Sequence, residues 1–501
     1  MNLSPPPPVV GAPHYARRWQ ALIVLLAGGF MNIIDISVVN VALPPLQAAF
    51  EATGSQIEWV AAAYVLAFAL GLLPLGRLGD RVGRKRMFLI GIAAFTVFSA
   101  MCGLATSIGM LIVARVLQGL SAAMITPQVM ATVQVIFPPA ERIRAFSYFG
   151  LTAGLASITG PLVGGLLIGA DLAGLGWRWI FLINIPVGIL VIAAGRAVLP
   201  DIAGHAGVRN DWAGIGLAAL AVFCLIFPLV EGHSLGWPAW AFAMMAGALP
   251  AAALFVVHER RRGRAGRSQL MPLELLGDPN FGLGAIMLML IFAGSMGGFL
   301  PITLFLQQGF DFTPLAAGLT TAPFAVGVLA GSQLLRLFGD GWPRARVAIG
   351  AACYCAGMLV LAVIVSAVGD AVSPLAFIGP LFAAGIGMNF CIASIMRTAL
   401  AHVPPRDAGS GSGLLQTFQN LGTAFGIAIA GQIFFSTLAT LMAAGSARHP
   451  AYVAALEAAF IFNISAFAVV ALLALMIRPP VGGGRPHGQA DAQSAPVPAE
   501  A

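Results

Sequence analysis

The feature that most constrains this chain is a series of apolar runs of about 20 residues each, the length that a helix needs to cross a bilayer. Fourteen such runs follow one another along the 501 residues. Only 9% of the residues are charged, too few for a soluble globular protein. The sequence therefore predicts an all-α polytopic membrane protein. The predicted spans are 19–43, 57–75, 87–106, 110–135, 146–168, 179–198, 212–230, 240–257, 281–306, 315–335, 347–368, 375–396, 412–435 and 453–477.

The basic residues fall mostly on one side of these spans. If the N-terminus is cytoplasmic, 23 of the 26 Lys and Arg residues lie on the cytoplasmic side, as the positive-inside rule requires. Because the number of spans is even, both termini are predicted to be cytoplasmic, and the protein to lie in the cell (inner) membrane. Topology thus explains the net charge of +7, and no nucleic-acid partner is expected. The basic loop from His258 to Arg267 is expected to face membrane lipids.

A weak internal repeat divides the chain into two halves. Arg-Leu-Gly-Asp at 77–80 follows the second span, and a similar segment, 336–340, follows the second span after the basic loop. The spans then group as 6+2+6, and paired halves of this kind place a substrate site at their interface. The expected division is 1–18 as a cytoplasmic segment, 19–198 as a six-helix bundle, 199–280 as two extra helices with the basic loop, 281–477 as a second six-helix bundle and 478–501 as a disordered cytoplasmic tail.

Patterns typical of enzymes and metal sites are missing from the sequence. All five cysteines lie inside apolar runs, so neither a disulfide framework nor a metal-ligand spacing is present. The sequence also contains no nucleophile elbow, phosphate-binding loop, histidine cluster or paired carboxylates. We therefore expect no enzymatic activity, no metal site and no cofactor.

Two ionisable residues lie well inside predicted spans, Asp35 in the first and Arg115 in the fourth. A lone charge at bilayer depth costs roughly 3 kcal/mol, so it persists mainly where it faces a polar interior. An apolar cavity would favour the protonated form of Asp35, and an approaching Arg115 would favour the ionised form. Switching between these environments would couple proton binding to transport. The alternative is a permanent brace between helices; we favour coupling, because buried charge in membranes is seldom only structural.

A glycine- and arginine-rich segment follows the second span, from Gly76 to Arg86, and is expected to form a short turn. Its Asp80 can accept hydrogen bonds from a helix N-terminus or from an arginine across the cytoplasmic face. An ion pair of this kind would latch one conformation. Simple topogenic charge would explain the arginines but neither the glycines nor Asp80. The predicted latch residues are Gly76, Asp80, Arg81, Gly83 and Arg84.

Two further spans carry unusual residues. The fifth contains Gly160, Pro161, Gly164 and Gly165, which fit either close helix packing or a gating hinge. Amide side chains are candidates for lining a cavity, although they can equally bond to neighbouring helices. These are Asn40, Gln118, Gln416, Gln419 and Asn420.

Five segments of the chain together resemble motifs of the major facilitator superfamily, specifically of its fourteen-span drug:proton antiporters of the EmrB and QacA type. The match is to the order of the motifs as well as to their residues. They are 35–44 in the first span, 76–86 in the loop, 111–122 around Arg115, 160–165 in the fifth span, and the segment Trp-Arg-Trp-Ile-Phe-Leu-Ile-Asn-Ile-Pro at 177–186.

The resemblance implies an exporter of lipophilic drugs or toxic small molecules. Proton influx would drive the export, and the two halves of the protein would rock against each other. Asp35 and Arg115 would carry the proton coupling, and 160–165 would form the antiporter helix. The second loop copy, 336–346, is degenerate, so the latch would be one-sided. No acidic residue lies in the middle of the later spans, so neutral or monocationic substrates fit better than polycations.

Two alternatives stay open from the sequence. The chain could be a dedicated exporter of one metabolite or antibiotic, or a non-transporting membrane sensor. The expected partners are a lipophilic small molecule, protons and membrane lipids. The need for a periplasmic adaptor is left open.

Overall fold

A computed structural model describes residues 15–478 of the chain except 203–210, 233–234, 268, 270–272, 338–342, 368–370, 402 and 404–407. Within those residues every regular element is a helix, which confirms the predicted all-α polytopic fold. Residues 1–14 of the predicted segment 1–18 and residues 479–501 of the predicted tail 478–501 lie outside the described residues, as does part of the second loop copy. The helices are α1 Arg18–Phe50, α2 Gly54–Val82, α3 Arg84–Gly103, α4 Ile108–Ile136, α5 Pro139–Ala170, α6 Trp179–Leu182, α7 Asn184–Val198, α8 Trp212–Glu231, α9 Ala239–Arg264, α10 Leu273–Leu276, α11 Pro279–Met296, α12 Phe299–Leu304, α13 Pro314–Leu337, α14 Pro343–Ser366, α15 Pro374–Leu400, α16 Ala408–Ala443 and α17 Arg448–Ala474.

The helical segments correspond closely to the predicted spans. In the part of the chain that the structure describes, thirteen segments are long and apolar enough to cross a membrane. The fifth predicted span is α5, which has 32 residues. Its described apolar stretch, Thr159–Ala170, is shorter than a full span. The chain is therefore a multi-pass membrane protein.

Helix ends follow local capping chemistry more than the limits of the apolar runs. At the start of α2 a capping box forms, in which the Thr53 side chain accepts from the backbone of Gln56 and the Gln56 side chain accepts from the backbone of Thr53. Helix α1 continues beyond its predicted span, through Pro44 and Pro45 to Phe50. These helices are therefore longer than the hydrophobic pattern predicted.

Two predicted spans are interrupted helices. The sixth consists of a 3₁₀ turn at Gly176–Arg178 followed by α6 and α7. The ninth consists of α11, α12 and a π-helical turn at Phe305–Gly309. Between α11 and α12, a Cβ at Gly297 would overlap the backbone of Gly426 on α16. A glycine pair therefore lets α16 pack directly against the break, which the hydrophobic pattern could not show.

The helices pack in two groups, with a helical pair beside them. In the first group, α1 to α7, the packed pairs include α1 with α5, and α4 with α2 and α3. In the second group, α11 to α17, they include α15 with α13 and α14, and α11 with α16. The groups meet along α2 and α16 and along α5 and α13. The pair α8 and α9 packs through α8 against both α2 and α16.

The two groups are in contact at the end of the bundle where α1 ends and α2 begins, here called the α1–α2 end. There Gln308 Nε2 donates to Gln47 Oε1 at 2.9 Å, and Gln307 Nε2 donates to the Val41 carbonyl at 3.0 Å. Both donors belong to the π-helical turn, so the interrupted span supplies the polar contacts. The described conformation is closed at the α1–α2 end.

Candidate functional site

A buried ion pair joins α1 to α4 in the middle of the first group. Asp35 is 0% exposed and Arg115 1% exposed. Arg115 Nη1 donates to Asp35 Oδ2 at 2.5 Å, and Gln118 Nε2 donates to Asp35 Oδ1 at 2.9 Å. Arg115 Nη1 also donates to Gln118 Oε1 at 2.8 Å. Both carboxylate oxygens of Asp35 therefore have partners, as a charge inside a membrane requires.

The guanidinium of Arg115 has a second set of contacts, on α2. Its Nε donates to the Val60 carbonyl at 3.1 Å, and its centre lies 4.2 Å from the centroid of the Tyr64 ring. A Cβ at Gly119 would overlap the Tyr64 carbonyl, so glycine at that position permits the close approach of α4 to α2. Arg115 thus bridges α2 and α1, and it keeps partners even without Asp35.

A polar chain continues from this site along α1 and α4. The Tyr64 hydroxyl donates to Asn32 Oδ1 at 2.5 Å, and Asn32 Nδ2 donates to Thr126 Oγ1 at 3.0 Å. Sequence reasoning missed Tyr64 and Asn32. Asn32 lies three residues before Asp35 and therefore on the same helix face, which is a signal that could have identified it. The site is a connected network of buried polar groups, not an isolated ion pair.

A small cavity lies between the two groups beside this network. Its volume is about 20 Å³, more than the roughly 10–15 Å³ that one water molecule needs. It is too small for a drug-sized molecule, but a water molecule fits beside Arg115. The lining residues are Ile36, Val39, Asn40, Ala61, Val65, Arg115, Met296, Thr423 and Ile427.

The five candidate cavity-lining amides lie in three different settings. Asn40 lines the cavity, and Gln118 instead bonds to Asp35. On α16, Asn420 Nδ2 donates to the Gln416 carbonyl of its own helix, and Gln419 Nε2 contacts the Met396 sulfur. The second group contributes Met296, Thr423 and Ile427 to the cavity wall, residues that the sequence did not single out.

The segment from Gly76 to Arg86 is mostly helical, so the predicted short turn is wrong. Helix α2 continues to Val82 and α3 begins at Arg84, leaving the turn at Gly83, whose φ of 107° favours glycine. Arg84 Nη1 donates to the Ala131 carbonyl of α4 at 2.6 Å, and its Nη2 lies 3.5 Å from Asp80. These contacts tie together helices of the first group.

The rest of the predicted latch divides between α4 and the surface. Gly76 and Gly79 lie against Pro127 and Gln128 of α4, where a Cβ at Gly79 would overlap the Gln128 amide. Arg81 is exposed. The described residues thus show Asp80 paired with Arg84 four positions on.

The glycines of α5 permit close packing on two sides. A Cβ at Gly160 would overlap Ser37 Oγ of α1. On the other side, a Cβ at Gly165 would lie 2.5 Å from Leu315 Cα of α13. Helix α5 therefore lies between α1 of its own group and α13 of the second group.

The other two motif residues of α5 extend both contacts. Gly164 lies against Val38 of α1. The Pro161 carbonyl lies against Gly318 of α13, and a Cβ at Gly318 would be 2.7 Å from the carbonyl oxygen. The helix continues through Pro161 as one element. The geometry supports close packing, and the hinge stays a prediction.

We expect Gly160→Ala to destabilise the protein by about 1–3 kcal/mol, the usual cost of overpacking. The added methyl group would displace Ser37, whose hydroxyl donates to the Ile34 carbonyl at 3.0 Å. Thermal unfolding of the purified protein in detergent measures this loss. The double variant Gly160→Ala/Ser37→Gly should regain most of the lost stability, because it removes the overlapping side chain. If the double variant is the less stable of the two, the packing argument is wrong.

An ion-pair cluster connects α8 to α9 at the end opposite the α1–α2 end. Asp211 caps the N-terminus of α8, where its Oδ1 accepts from the Gly214 N–H at 3.0 Å. His258 Nε2 lies 3.0 Å from both oxygens of Asp211, and Arg262 Nε lies 3.1 Å from Oδ2. The predicted lipid-facing loop is therefore partly wrong, because α9 continues to Arg264 and turns His258 and Arg262 toward α8.

The environment of Asp211 favours its ionised form. Burial alone would raise the pKa of Asp211, but the Gly214 N–H, hydrogen bonds with Glu259 and His258, and the charge of Arg262 together lower it. Ligand atoms of Asp211, His258 and Glu259 lie within 4.8 Å of one another, a spacing that a metal ion could also use. Because Arg262 already supplies positive charge to the same carboxylate, we interpret the group as an ion-pair cluster.

We expect Asp211→Ala to lower the free energy of unfolding by about 1–2 kcal/mol, since it removes a helix cap. A carboxyl with a lowered folded-state pKa contributes stability above its unfolded pKa, near 3.8, and loses it as the pH falls through the folded value. The deficit should therefore be constant at neutral and mildly acidic pH and shrink only in stronger acid. Thermal unfolding across pH measures it.

The matched control for that variant is Asp201→Ala. The Asp201 side chain is 86% exposed and lies 3.5 Å from Lys85. A surface pair of this kind contributes little, so its loss should change stability by less than about 1 kcal/mol. Equal effects of the two substitutions would show that the α8–α9 cluster is not stabilising.

The chain is similar to known transporters along most of its length. Residues 25–427 match the profile of the Major Facilitator Superfamily. A "Probable actinorhodin transporter" of Streptomyces coelicolor is 38% identical over 431 residues, covering 85% of this chain and 74% of the relative. A "Multidrug resistance protein Stp" of Mycobacterium tuberculosis is 33% identical, covering 84% of this chain and 77% of the relative. The "Tetracenomycin C resistance and export protein" of Streptomyces glaucescens is 29% identical, covering 84% and 76%.

The fold is also similar to that of solved transporters. A bacterial homolog of the human lysosomal transporter Spinster, in an inward-facing and unoccupied conformation, has a TM-score of 0.66 at 18% identity, covering 93% of this chain and 98% of that one. At this identity the likeness concerns the fold alone. The matched profile and the relatives above 30% identity establish the family, so this chain is a membrane transporter of the major facilitator superfamily and not an enzyme.

Proposed function

We propose that this protein is a proton-coupled exporter, which moves lipophilic drugs or similar toxic small molecules out of the cytoplasm by alternating access. The observation that carries the proposal is the buried Asp35–Arg115 pair beside a cavity between the two helix groups. Relatives named for drug resistance and antibiotic export support the substrate class. The order of its motifs resembles that of the fourteen-span EmrB and QacA type antiporters, which supports the proposal.

The ion pair is the proton-coupling device in this proposal. Protonation of Asp35 cancels its charge and weakens its attraction for Arg115. Arg115 keeps its contacts with Gln118, the Val60 carbonyl and the Tyr64 ring. Proton binding therefore loosens α1 from α4 without leaving the guanidinium unpaired. Each charge that crosses the membrane potential supplies about 2.3 kcal/mol per 100 mV.

The two helix groups are the rocking halves of the alternating-access cycle. The distribution of basic residues supports cytoplasmic termini, and with that orientation the α1–α2 end is the outer face of the inner membrane. The described closure at that end then corresponds to a closed outer gate. At the inner face, the predicted latch segment holds α2, α3 and α4 together through Gly76, Asp80 and Arg84, with the turn at Gly83 and with Arg81 at the surface. Helix α5 slides against α13 through Pro161 and Gly165, while Gly160 and Gly164 keep it packed against α1.

The cavity lining favours uncharged or monocationic lipophilic substrates. Its residues are apolar except for Asn40, Thr423 and Arg115. Because Arg115 is the charged group among them, each positive charge on a substrate would be unfavourable there, so a neutral substrate fits best and a polycation fits worst. A dedicated exporter of one antibiotic is the second candidate, favoured by the relatives named for actinorhodin and tetracenomycin C. A membrane sensor without transport is the third.

The test of the proposed function is proton release from everted membrane vesicles. Vesicles carrying the protein are energised to an acid interior, and lipophilic dyes and antibiotics are added one at a time. Vesicles from cells without the protein are the control. If several compounds dissipate the gradient only when the protein is present, the multidrug exporter is supported. If a single antibiotic class does so, the dedicated exporter replaces it. If none does while the protein is folded and inserted, the proton-coupled exporter is rejected.

A further inference from the structure

A second acidic side chain is buried between the helix groups, on α2 two residues before Val60, whose carbonyl bonds to Arg115. Glu58 lies one turn from the start of α2 and is 2% exposed. Its position is therefore at the α1–α2 end, where the groups are in contact. In the sequence Glu58 is the second residue of the predicted span 57–75, a position where a carboxylate can ordinarily reach water. The structure instead encloses this side chain in protein.

The carboxyl group of Glu58 lies directly against α16 of the second group. A Cβ at Gly431 would be 2.6 Å from both the carboxyl carbon and Oε1 of Glu58. Glycine at 431 therefore provides the space that the carboxyl occupies. One turn away, Gly54 of α2 lies against the ring of Phe435 in the same way. The α2–α16 contact thus closes over Glu58, and separating the two helices would expose it.

The surroundings of Glu58 do not suit a negative charge. Its Oε2 is buried and accepts no hydrogen bond from the residues that the structure describes. The charged group that acts on it there is another acid, Glu231 at the end of α8. Glu231 Oε1 accepts a hydrogen bond from Trp59 Nε1 at 3.0 Å. An ionised Glu58 would combine the desolvation of a charge with like-charge repulsion, whereas a protonated Glu58 would remove the repulsion and reduce the desolvation cost to that of a neutral group.

We infer that Glu58 is a second proton-binding group, which must be protonated before the outer gate between α2 and α16 can close. The inference rests on the proposed function, because it uses its membrane orientation and its alternating access. In the outward-open state the Glu58 carboxylate meets external water and takes up a proton from it. Closing the gate then carries the neutral acid into the α2–α16 contact. Opening the gate returns Glu58 to water, where the carboxyl ionises.

The groups facing Glu58 allow this exchange to occur at the gate itself. Helix α16 presents Gly431 and α8 presents the acid Glu231, so neither supplies a cation that would compensate the ionised form. The Asp35 carboxylate differs, because Arg115 and Gln118 bond to both of its oxygens. The two acids therefore respond to protons in different ways: Asp35 through its ion pair, and Glu58 through closure of the gate.

The test measures gate opening directly, without any substrate. Spin labels are attached at Leu104 and Met442, which are 64% and 48% exposed and lie at the α1–α2 end of the first and second groups. The native cysteines are replaced, and Asp35→Asn is included so that the central carboxyl does not titrate. Distances between the labels are then recorded by pulsed electron resonance over a range of pH. Linkage to one proton allows up to about a tenfold change in the open-to-closed ratio per pH unit.

With Glu58 present, we expect the open population to grow as the pH rises. Glu58→Gln, which keeps the size and the neutral form of the acid, should leave the gate closed at every pH. Glu457→Gln on α17 is the matched control, and its open population should change with pH as it does in the parent. The inference is overturned if the open population of the Glu58→Gln protein changes with pH as it does in the parent. It is also overturned if the open population of the parent does not change with pH. Because no transport is measured, a failed vesicle assay with an intact Glu58 response would reject the exporter but not the gate.

Discussion

Asp35→Asn is expected to reduce proton-driven export to the level of vesicles without the protein. Asparagine keeps the size of the side chain, but its amide does not bind and release a proton near neutral pH. Arg115 keeps its bonds to Gln118 and to the Val60 carbonyl, so the helices around the site stay in place. The measurement is substrate-induced proton release in everted vesicles, with the amount of inserted protein matched between samples.

A second readout separates loss of coupling from loss of transport. Exchange of labelled for unlabelled substrate needs the alternating-access movement but no net proton flow. The Asp35→Asn protein should therefore retain exchange while it loses proton-driven export. Asp201→Asn, which changes an exposed carboxylate, is the control and should retain both activities. Full proton-driven export by Asp35→Asn would remove Asp35 from the coupling mechanism. Loss of exchange as well would assign Asp35 to substrate binding or to the fold.

Arg115→Gln should lower the free energy of unfolding by about 3 kcal/mol or more, the usual cost of removing one partner from a buried ion pair. The substitution leaves Asp35, which is 0% exposed, without its counter-ion. It also removes the bond to the Val60 carbonyl and the cation contact with Tyr64, which links α4 to α2. Thermal or steric-trapping unfolding in bilayer discs measures the loss.

A double-mutant cycle with Asp35→Asn tests whether the ion pair is the cause. The double variant Asp35→Asn/Arg115→Gln should be more stable than Arg115→Gln alone, because no uncompensated charge remains in it. Arg448→Gln is the matched control, since its partner Asp311 lies 2.7 Å away but both side chains are exposed. That change should cost less than about 1 kcal/mol. Strictly additive effects of the two substitutions would show that Asp35 and Arg115 do not stabilise each other.

The sequence was sufficient for the class of the protein and for one pair of site residues. Apolar runs of bilayer length can form little except membrane-spanning helices, because each backbone group must be hydrogen-bonded inside the bilayer. Asp35 and Arg115 were identifiable because charge inside such runs is rare. The assignment to the major facilitator superfamily followed from motifs whose order is visible in the chain, and the matching profile confirmed it at the level of the superfamily.

The positions of turns were less accessible from the sequence. The run of charges from Gly76 to Arg86 suggested a loop, yet a helix tolerates charged residues once it extends beyond the apolar part of the bilayer. The structure confines the turn to Gly83. The basic segment after the eighth predicted span shows the same effect, because its arginines continue α9 and Arg262 contacts Asp211. Charge indicates where a chain leaves the bilayer, but it does not indicate that the helix ends there.

The sequence by itself determined which residues lie at membrane depth, because hydropathy and length are properties of the chain read in one dimension. Only the tertiary structure decided which helix faces meet. It placed Gln118 on Asp35 and Tyr64 under Arg115, and it enclosed Glu58 against Gly431 at the α2–α16 contact. These contacts depend on the rotation of each helix about its axis and on glycines that let two backbones approach. Neither quantity is fixed by the pattern of apolar residues along one span.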